Sequence, residues 1–253
     1  AIILPNTTEK EAHRVCERIR QACQKATASP VQLSIALGAA TRTSMHDSIG
    51  KITRAAETSM YKRKMQDSDQ TTSSLIVSME EVLRNKYQDG LERGLRQERL
   101  AVHLGKALGL QEEDLEDIAL LARLHDIGHI ATPDDVWSKG PFLSGEEENV
   151  VRQHVEIGAR IAKSLPQVRP IAGNILAHHE HWDGSGYPKG LKGEEIPLKA
   201  RIIAIVDAYD DARRGFLNGK PLTSDEALEE LAKHAGTKFD PSLVSLFVQL
   251  VRS

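Results

Sequence analysis

Cysteine is nearly absent: Cys16 and Cys23 are the two thiols in 253 residues. No disulfide framework can therefore staple the chain, and a reducing cytoplasm is the expected setting. Their spacing sets both on one face of a predicted helix, where they serve as small apolar residues. Long apolar runs are missing as well, so nothing reads as a bilayer span, and no signal-peptide pattern opens the chain. An excess of positive charge is also lacking. The net charge is −3, which gives no general reason to bind a nucleic-acid polymer. No initiator methionine precedes Ala1, as expected of a piece of a longer protein.

What is present fits a soluble globular protein, with 40% hydrophobic and 27% charged residues. The length suits one large or two ordinary domains. Ala1–Leu4 reads as the end of a buried strand, closed by Pro5 and Asn6. Thr7 or Thr8 can cap a helix with Glu9 and Glu11 in its first turn and an apolar stripe through Val15, Ile19 and Cys23. Alternation through Val31, Leu33, Ile35 and Leu37 predicts a second strand over 31–40, and helical spacing returns from Ser48 to about Met65. Two strands and two helices cannot close a full core, so this part reads as half a domain. The polar stretch Gln66–Ser74 marks the boundary, giving domains at 1–70 and 71–253.

Beyond that boundary every pattern is helical. A long segment over 75–108 carries an apolar stripe that includes Leu91 and Leu95, with a break near Asp89 to Gly94. Helices are predicted over 115–124, 144–164 with Ser144 as cap, 171–179, 198–212, 224–235 and 241–251. The fold class is mainly α: an all-helical bundle with a small α/β segment at the N-terminal end.

The chemistry concentrates in three places. Ala177 to Leu191 reads Ala-His-His-Glu-His-Trp-Asp-Gly-Ser-Gly-Tyr-Pro-Lys-Gly-Leu, two adjacent histidines feeding a loop rich in glycine. His125 and Asp126 close an apolar helix beside Gly128, and Asp207 follows the apolar run Ile202–Val206. His154 lies between them among Val150, Val151, Val155 and Ile157. A lone histidine on a helix is ordinarily a surface or core residue. A carboxylate in an apolar run, however, needs a cation or strong donors nearby. Imidazoles and carboxylates gathered in this way suit a metal centre that activates water, with iron or manganese favoured over calcium and zinc an alternative.

These motifs resemble the HD-GYP family. The resemblance rests on His125-Asp126-Ile127-Gly128, Val155-Glu156-Ile157-Gly158 after His154, and His178-His179-Glu180. It continues through Asp183 to Pro188, Ile202 to Asp210, and Phe239-Asp240-Pro241. It implies an HD-type helical bundle with two divalent transition-metal ions and hydrolysis of cyclic di-GMP. Asp126 would bridge the ions, His125 and Asp207 would serve one, and His154, His178 and His179 the other. Gly186, Tyr187 and Pro188 would wall the substrate site. The first seventy residues resemble the C-terminal part of a GGDEF (diguanylate cyclase) domain through Ala1–Pro5, Leu33–Gly38 and Ala55–Tyr61, without that family's signature loop. A cyclic dinucleotide is the implied substrate or ligand, GGDEF-domain proteins are implied partners, and a homodimer stays open.

Three positions depart from the HD-GYP pattern. Arg93 stands where a ligating histidine is expected, and Asp89 where a glutamate is expected. A guanidinium stays protonated and cannot ligate a cation, so Arg93 is expected to pair with Asp126 or Asp207. His129 replaces a lysine that neutralises phosphate, which leaves Asp126 and His129 as the expected catalytic pair. Beyond Asp207, Arg213, Arg214 and Lys220 are the basic residues left to meet a phosphate, in an altered register. Two readings follow: a working phosphodiesterase, or a receptor or scaffold that binds nucleotide, metal or a protein partner without turnover.

Overall fold

The computed structural model describes residues 1–25, 35–44, 47–87, 90–139, 143–215 and 219–252. The chain divides into two compact units, Ala1–Leu75 and Ile76–Ser253.

In the first unit, α1 (Glu9–Lys25) begins where its cap predicts. Thr8 N–H donates to Glu11 Oε2 at 2.8 Å and Glu11 N–H returns to Thr8 Oγ1 at 3.4 Å, so two donors at the helix start are satisfied. The expected strands do not form among the described residues. Ala1–Leu4 and 35–40 are irregular, with Ile2 and Ile3 exposed, and 31–34 lies outside the described residues. A strand exists through ladder bonds to a neighbour, and no ladder partner is present for either segment among the described residues. Among the described residues the regular structure of this segment is helical. Helix α2 (Ile49–Lys86) runs through the polar stretch at 66–74. Helical backbone bonding needs no apolar stripe, and no Gly or Pro interrupts the chain between Lys51 and Lys86.

Among the described residues, the regular elements of the second unit are helices. After the end of α2 come α3 (Gly90–Ala107), α4 (Glu112–Leu124), a 3-10 turn (Ile127–Ala131) and α5 (Asp134–Trp137). These lead to α6 (Gly145–Arg152), α7 (His154–Ser164), a second 3-10 turn (Arg169–Ile171) and α8 (Ala172–Ala177). A loop then connects to α9 (Leu198–Arg214), α10 (Ser224–Lys233) and α11 (Pro241–Arg252). The expected break in 75–108 lies between Lys86 and Gly90, and Asp89 is outside the described residues. The single helix expected over 144–164 is two. Ser144 caps α6 in a capping box with Glu147, but α6 buries no residue while α7 buries His154, Val155, Gly158, Ala159 and Ala162. One continuous apolar pattern thus conceals two helices with different partners.

Helix α3 packs on α4 and α9, and α7 on the first 3-10 turn and α8. Leu104, Ile118, Leu121, Ile175, Ile202, Ile205 and Phe247 are fully buried between them. Each contributes about 1.5–3 kcal/mol of apolar burial. Gly128 lets the turn press against α7, because a Cβ there would lie 1.9 Å from the His154 carbonyl oxygen. No helix is long and apolar enough to cross a membrane among the described residues.

Candidate metal centre

Three helix ends deliver the histidines. His125 follows α4, His154 opens α7, and His178 and His179 follow α8. In each case a carbonyl in the last turn of the preceding helix lies within reach of the imidazole. The Nδ1 atoms of His125, His154 and His178 lie 3.1, 2.8 and 2.6 Å from the carbonyl oxygens of Ala122, Val151 and Ile175. A carbonyl can only accept, so each Nδ1 carries a proton, and on His154 and His178 this leaves Nε2 to present a lone pair.

Those lone pairs converge on Asp126. The Nε2 atoms of His154 and His178 are 3.3 Å apart. Asp126 Oδ1 lies 3.7 Å from each of them. Two facing lone pairs without a proton between them repel, and a carboxylate oxygen nearby adds to the repulsion. A metal cation would satisfy that donor set, and imidazole with carboxylate fits a transition-metal ion. His179 joins the same group, while His125, Asp126 and Asp207 form a second. The structure thus brings together all six side chains expected from the sequence, with Asp126 shared.

The Oδ2 side of Asp126 is different. Tyr87 O–H donates to it at 2.5 Å. Arg93 Nη2 lies 3.5 Å from it, 2.5 Å from Asp207 Oδ1 and 3.3 Å from Asp211 Oδ1. The expected Arg93 ion pair is therefore formed, with both carboxylates and with a third. Gln97 Nε2 adds a 2.8 Å bond to Asp207 Oδ1, and the Arg93 guanidinium lies over the Tyr87 ring at 4.4 Å. His125 Nε2 comes within 3.3 Å of Asp126 and 3.5 Å of Asp207, yet makes no hydrogen bond.

Charge follows this division. Burial pushes His154 down to about 3 and His129 down to about 4. Burial likewise holds His179 well below the ordinary imidazole range. These rings stay neutral at pH 7, the form a metal requires. His125 behaves oppositely: burial opposes its charge, but Asp126 and Asp207 outweigh burial and push it up to about 10. Burial also opposes ionised Asp126 and Asp207, and the cations facing them, His125 for the first and Arg93 for the second, hold both carboxyls low. Asp211 is left over: burial and the neighbouring Asp207 push it up to about 8.

His129 is buried and stacks on His154 with centroids 4.0 Å apart and an interplanar angle of 14°. Its Nδ1 lies 3.1 Å from Thr132 Oγ1, and its other face meets Trp137 at 4.6 Å. Trp137 also abuts Tyr87 at 4.9 Å. The glycine-rich loop folds back on the histidine pair. Tyr187 N–H bonds the His179 carbonyl at 3.1 Å, and the two rings stack at 5.1 Å. Gly186 is required there, since a Cβ would lie 2.2 Å from His181 N. The Tyr187–Pro188 peptide is cis, and Pro188 is exposed. Arg152 covers the Tyr187 ring at 4.9 Å. Of the expected phosphate-binding residues, Arg213 bonds the Leu222 carbonyl at 2.6 Å, Arg214 lies 4.0 Å from Asp210, and Lys220 is exposed.

Sequence reasoning missed Tyr87, Gln97, Asp211, Arg152 and Glu180. Glu180 is a loop clamp, accepting from Lys189 N–H at 2.7 Å and Leu191 N–H at 2.9 Å. The available signal for Gln97 was its spacing, since Arg93, Gln97, Ala101 and Leu104 share one buried face of α3 while Leu95 is 42% exposed.

The chain is similar to several known proteins. A cyclic di-GMP phosphodiesterase of Thermotoga maritima is 39% identical over 155 residues, covering 60% of this chain and 42% of the relative. A 3′3′-cGAMP-specific phosphodiesterase of Vibrio cholerae is 34% identical over 192 residues, covering 73% of this chain and 36% of the relative. The chain therefore spans less than half the length of each. A solved cyclic GMP-AMP-specific phosphodiesterase of V. cholerae has TM-score 0.54 and 25% identity, over 72% of this chain and 49% of that one. A family model described as an HD domain matches residues 77–243. A match covering well over half of its residues means that this chain belongs to the HD-domain family.

Proposed function

We propose that the second unit is a metal-dependent phosphodiesterase of the HD-GYP type that hydrolyses a cyclic dinucleotide, cyclic di-GMP or cyclic GMP-AMP. The observation that carries this is the pair of Nε2 lone pairs 3.3 Å apart over one oxygen of Asp126. Asp126, His154, His178 and His179 would hold the ion, iron or manganese by its mixed nitrogen and oxygen donors, with zinc an alternative. Such an ion, when bound, polarises a phosphoryl oxygen and makes a water acidic enough to attack at neutral pH.

The chain's own residues supply the rest. Backbone carbonyls fix the ligating tautomers of His154 and His178, which keeps their lone pairs aimed inward. His129, neutral and stacked on His154, fixes the plane of that ring and adds no positive charge. Tyr187 offers a ring on which a base can stack, and the exposed Arg152 beside it offers a guanidinium to a phosphate. The distribution of donors around Asp126 Oδ2 supports a second reading, binding without turnover, because Arg93 lies where a ligating side chain was expected.

Manganese-loaded protein incubated with each cyclic dinucleotide, with products separated by chromatography, decides between them. Linear dinucleotide or mononucleotide product that disappears in His178→Ala is expected. Nucleotide retained on the protein but never cleaved would establish the second reading.

A further inference from the structure

The two groups of potential ligands are not equivalent, and the difference lies in lone pairs. A carboxylate oxygen offers about two acceptor sites. On Asp207 Oδ1 both are taken, by Arg93 Nη2 at 2.5 Å and Gln97 Nε2 at 2.8 Å. Asp126 Oδ2 receives the Tyr87 hydroxyl at 2.5 Å, with Arg93 Nη2 at 3.5 Å. An ion between these two oxygens would have to displace bonds already made and sit against a fixed positive charge. The guanidinium has little room to withdraw: its side chain is 6% exposed, it lies on the Tyr87 ring, and Asp211 holds it from a third side. Asp126 Oδ1, in contrast, faces imidazole nitrogens among the described residues.

We propose that this centre is built from one metal ion and one guanidinium, with Arg93 holding the second cation position between Asp126 and Asp207. The inference rests on the metal-centre reading above and deepens it. Arg93 is a positioning residue: it neutralises and orients Asp126 Oδ2 and Asp207, so that the bridging carboxylate turns its other oxygen to the single ion. His125 Nε2 lies within 3.5 Å of both carboxylates, against the same two oxygens that Arg93 meets.

The test is the number of ions bound, read without any turnover assay. Metal-free protein is titrated with Mn(II), free Mn(II) is followed by electron paramagnetic resonance, and bound metal is counted after equilibrium dialysis. One ion per chain is expected for the wild type and for Arg93→Lys, which keeps the charge. His178→Ala is expected to lose that ion, and Arg93→His is expected to take up two. Two ions in the wild type would overturn the proposal while leaving the metal centre standing. Uptake of no ion would instead remove the metal centre itself. Should Arg93→His not fold, the wild-type, Arg93→Lys and His178→Ala counts still decide, since two ions in Arg93→Lys or one retained in His178→Ala contradicts the assignment.

Discussion

On the Oδ1 side of Asp126, imidazoles face one another with lone pairs and no proton to share. On the Oδ2 side, a phenol, an amide and a guanidinium have already met the oxygens. The first half is unfinished without a cation, and the second brings its own. This contrast explains why the same burial drives His154 down to about 3 while His125 rises to about 10. Burial penalises every charge alike, and only the half with two ionised carboxylates repays it. A ligand inventory therefore does not determine an ion count. What matters is whether each donor still has a lone pair to give.

The largest expected effect breaks the unfinished half. His178→Ala removes one of the two facing nitrogens, and metal affinity should fall by more than about 100-fold, the upper range for losing a mere supporting partner of a ligand. A Mn(II) titration measures this, and an unchanged isotherm would sink the ligand assignment. On the finished half, Arg93→Met leaves the Asp126 and Asp207 carboxylates without their buried cation. Metal-free protein should lose about 3–5 kcal/mol in urea unfolding, and a loss under about 1 kcal/mol would mean that the guanidinium is not holding Asp207 and Asp126. Tyr87→Phe is milder, deleting one hydrogen bond to a charged oxygen, and should cost about 1.5–3 kcal/mol in the same assay.

The finest test of the contrast is pH. With chelator present, the two halves should give opposite slopes of stability. His154 and His129 titrate at about 3 and about 4 when folded, against 6.5 for the free imidazole. The unfolded chain therefore binds more protons in that window, and stability falls as pH drops below about 6.5. His125 titrates at about 10 when folded. Its contribution is complete below about 6.5 and is lost as pH rises toward 10. Urea midpoints from about pH 5 to about pH 9 trace both limbs. His154→Ala should flatten the acid limb alone, and flattening of both limbs would show that the halves are not electrically separate.

Much of this molecule was readable before any coordinates. The helical character of the second unit follows from apolar spacing, and the capping box at Ser144 marks α6 correctly. Where the pattern misled, a physical cause can be named. On α3 the stripe through Leu91 and Leu95 seemed to mark the inner face, yet Leu95 is largely exposed and Arg93 and Gln97 are buried. A helix that faces a polar centre must bury polar side chains, so hydrophobicity points to the wrong side there. At the N-terminal end, a short apolar run suggested a strand for Ala1–Leu4 and alternation suggested one for 31–40, of which 31–34 lies outside the described residues; neither pattern supplies the neighbour that a strand must bond.

Composition and spacing were enough to set the chemical inventory: four buried or half-buried histidines and two aspartates in a helical protein, beside a loop that glycine alone can fold. Those are local properties, written in residue type and in neighbours a few positions away. Tertiary packing decided how the inventory is divided. Arg93 and Gln97 meet Asp207 across 114 and 110 residues of chain, and Tyr87 reaches Asp126 across 39. Which oxygen of a carboxylate keeps a free lone pair depends on distances of a few tenths of an ångström, and only the packed helices set them.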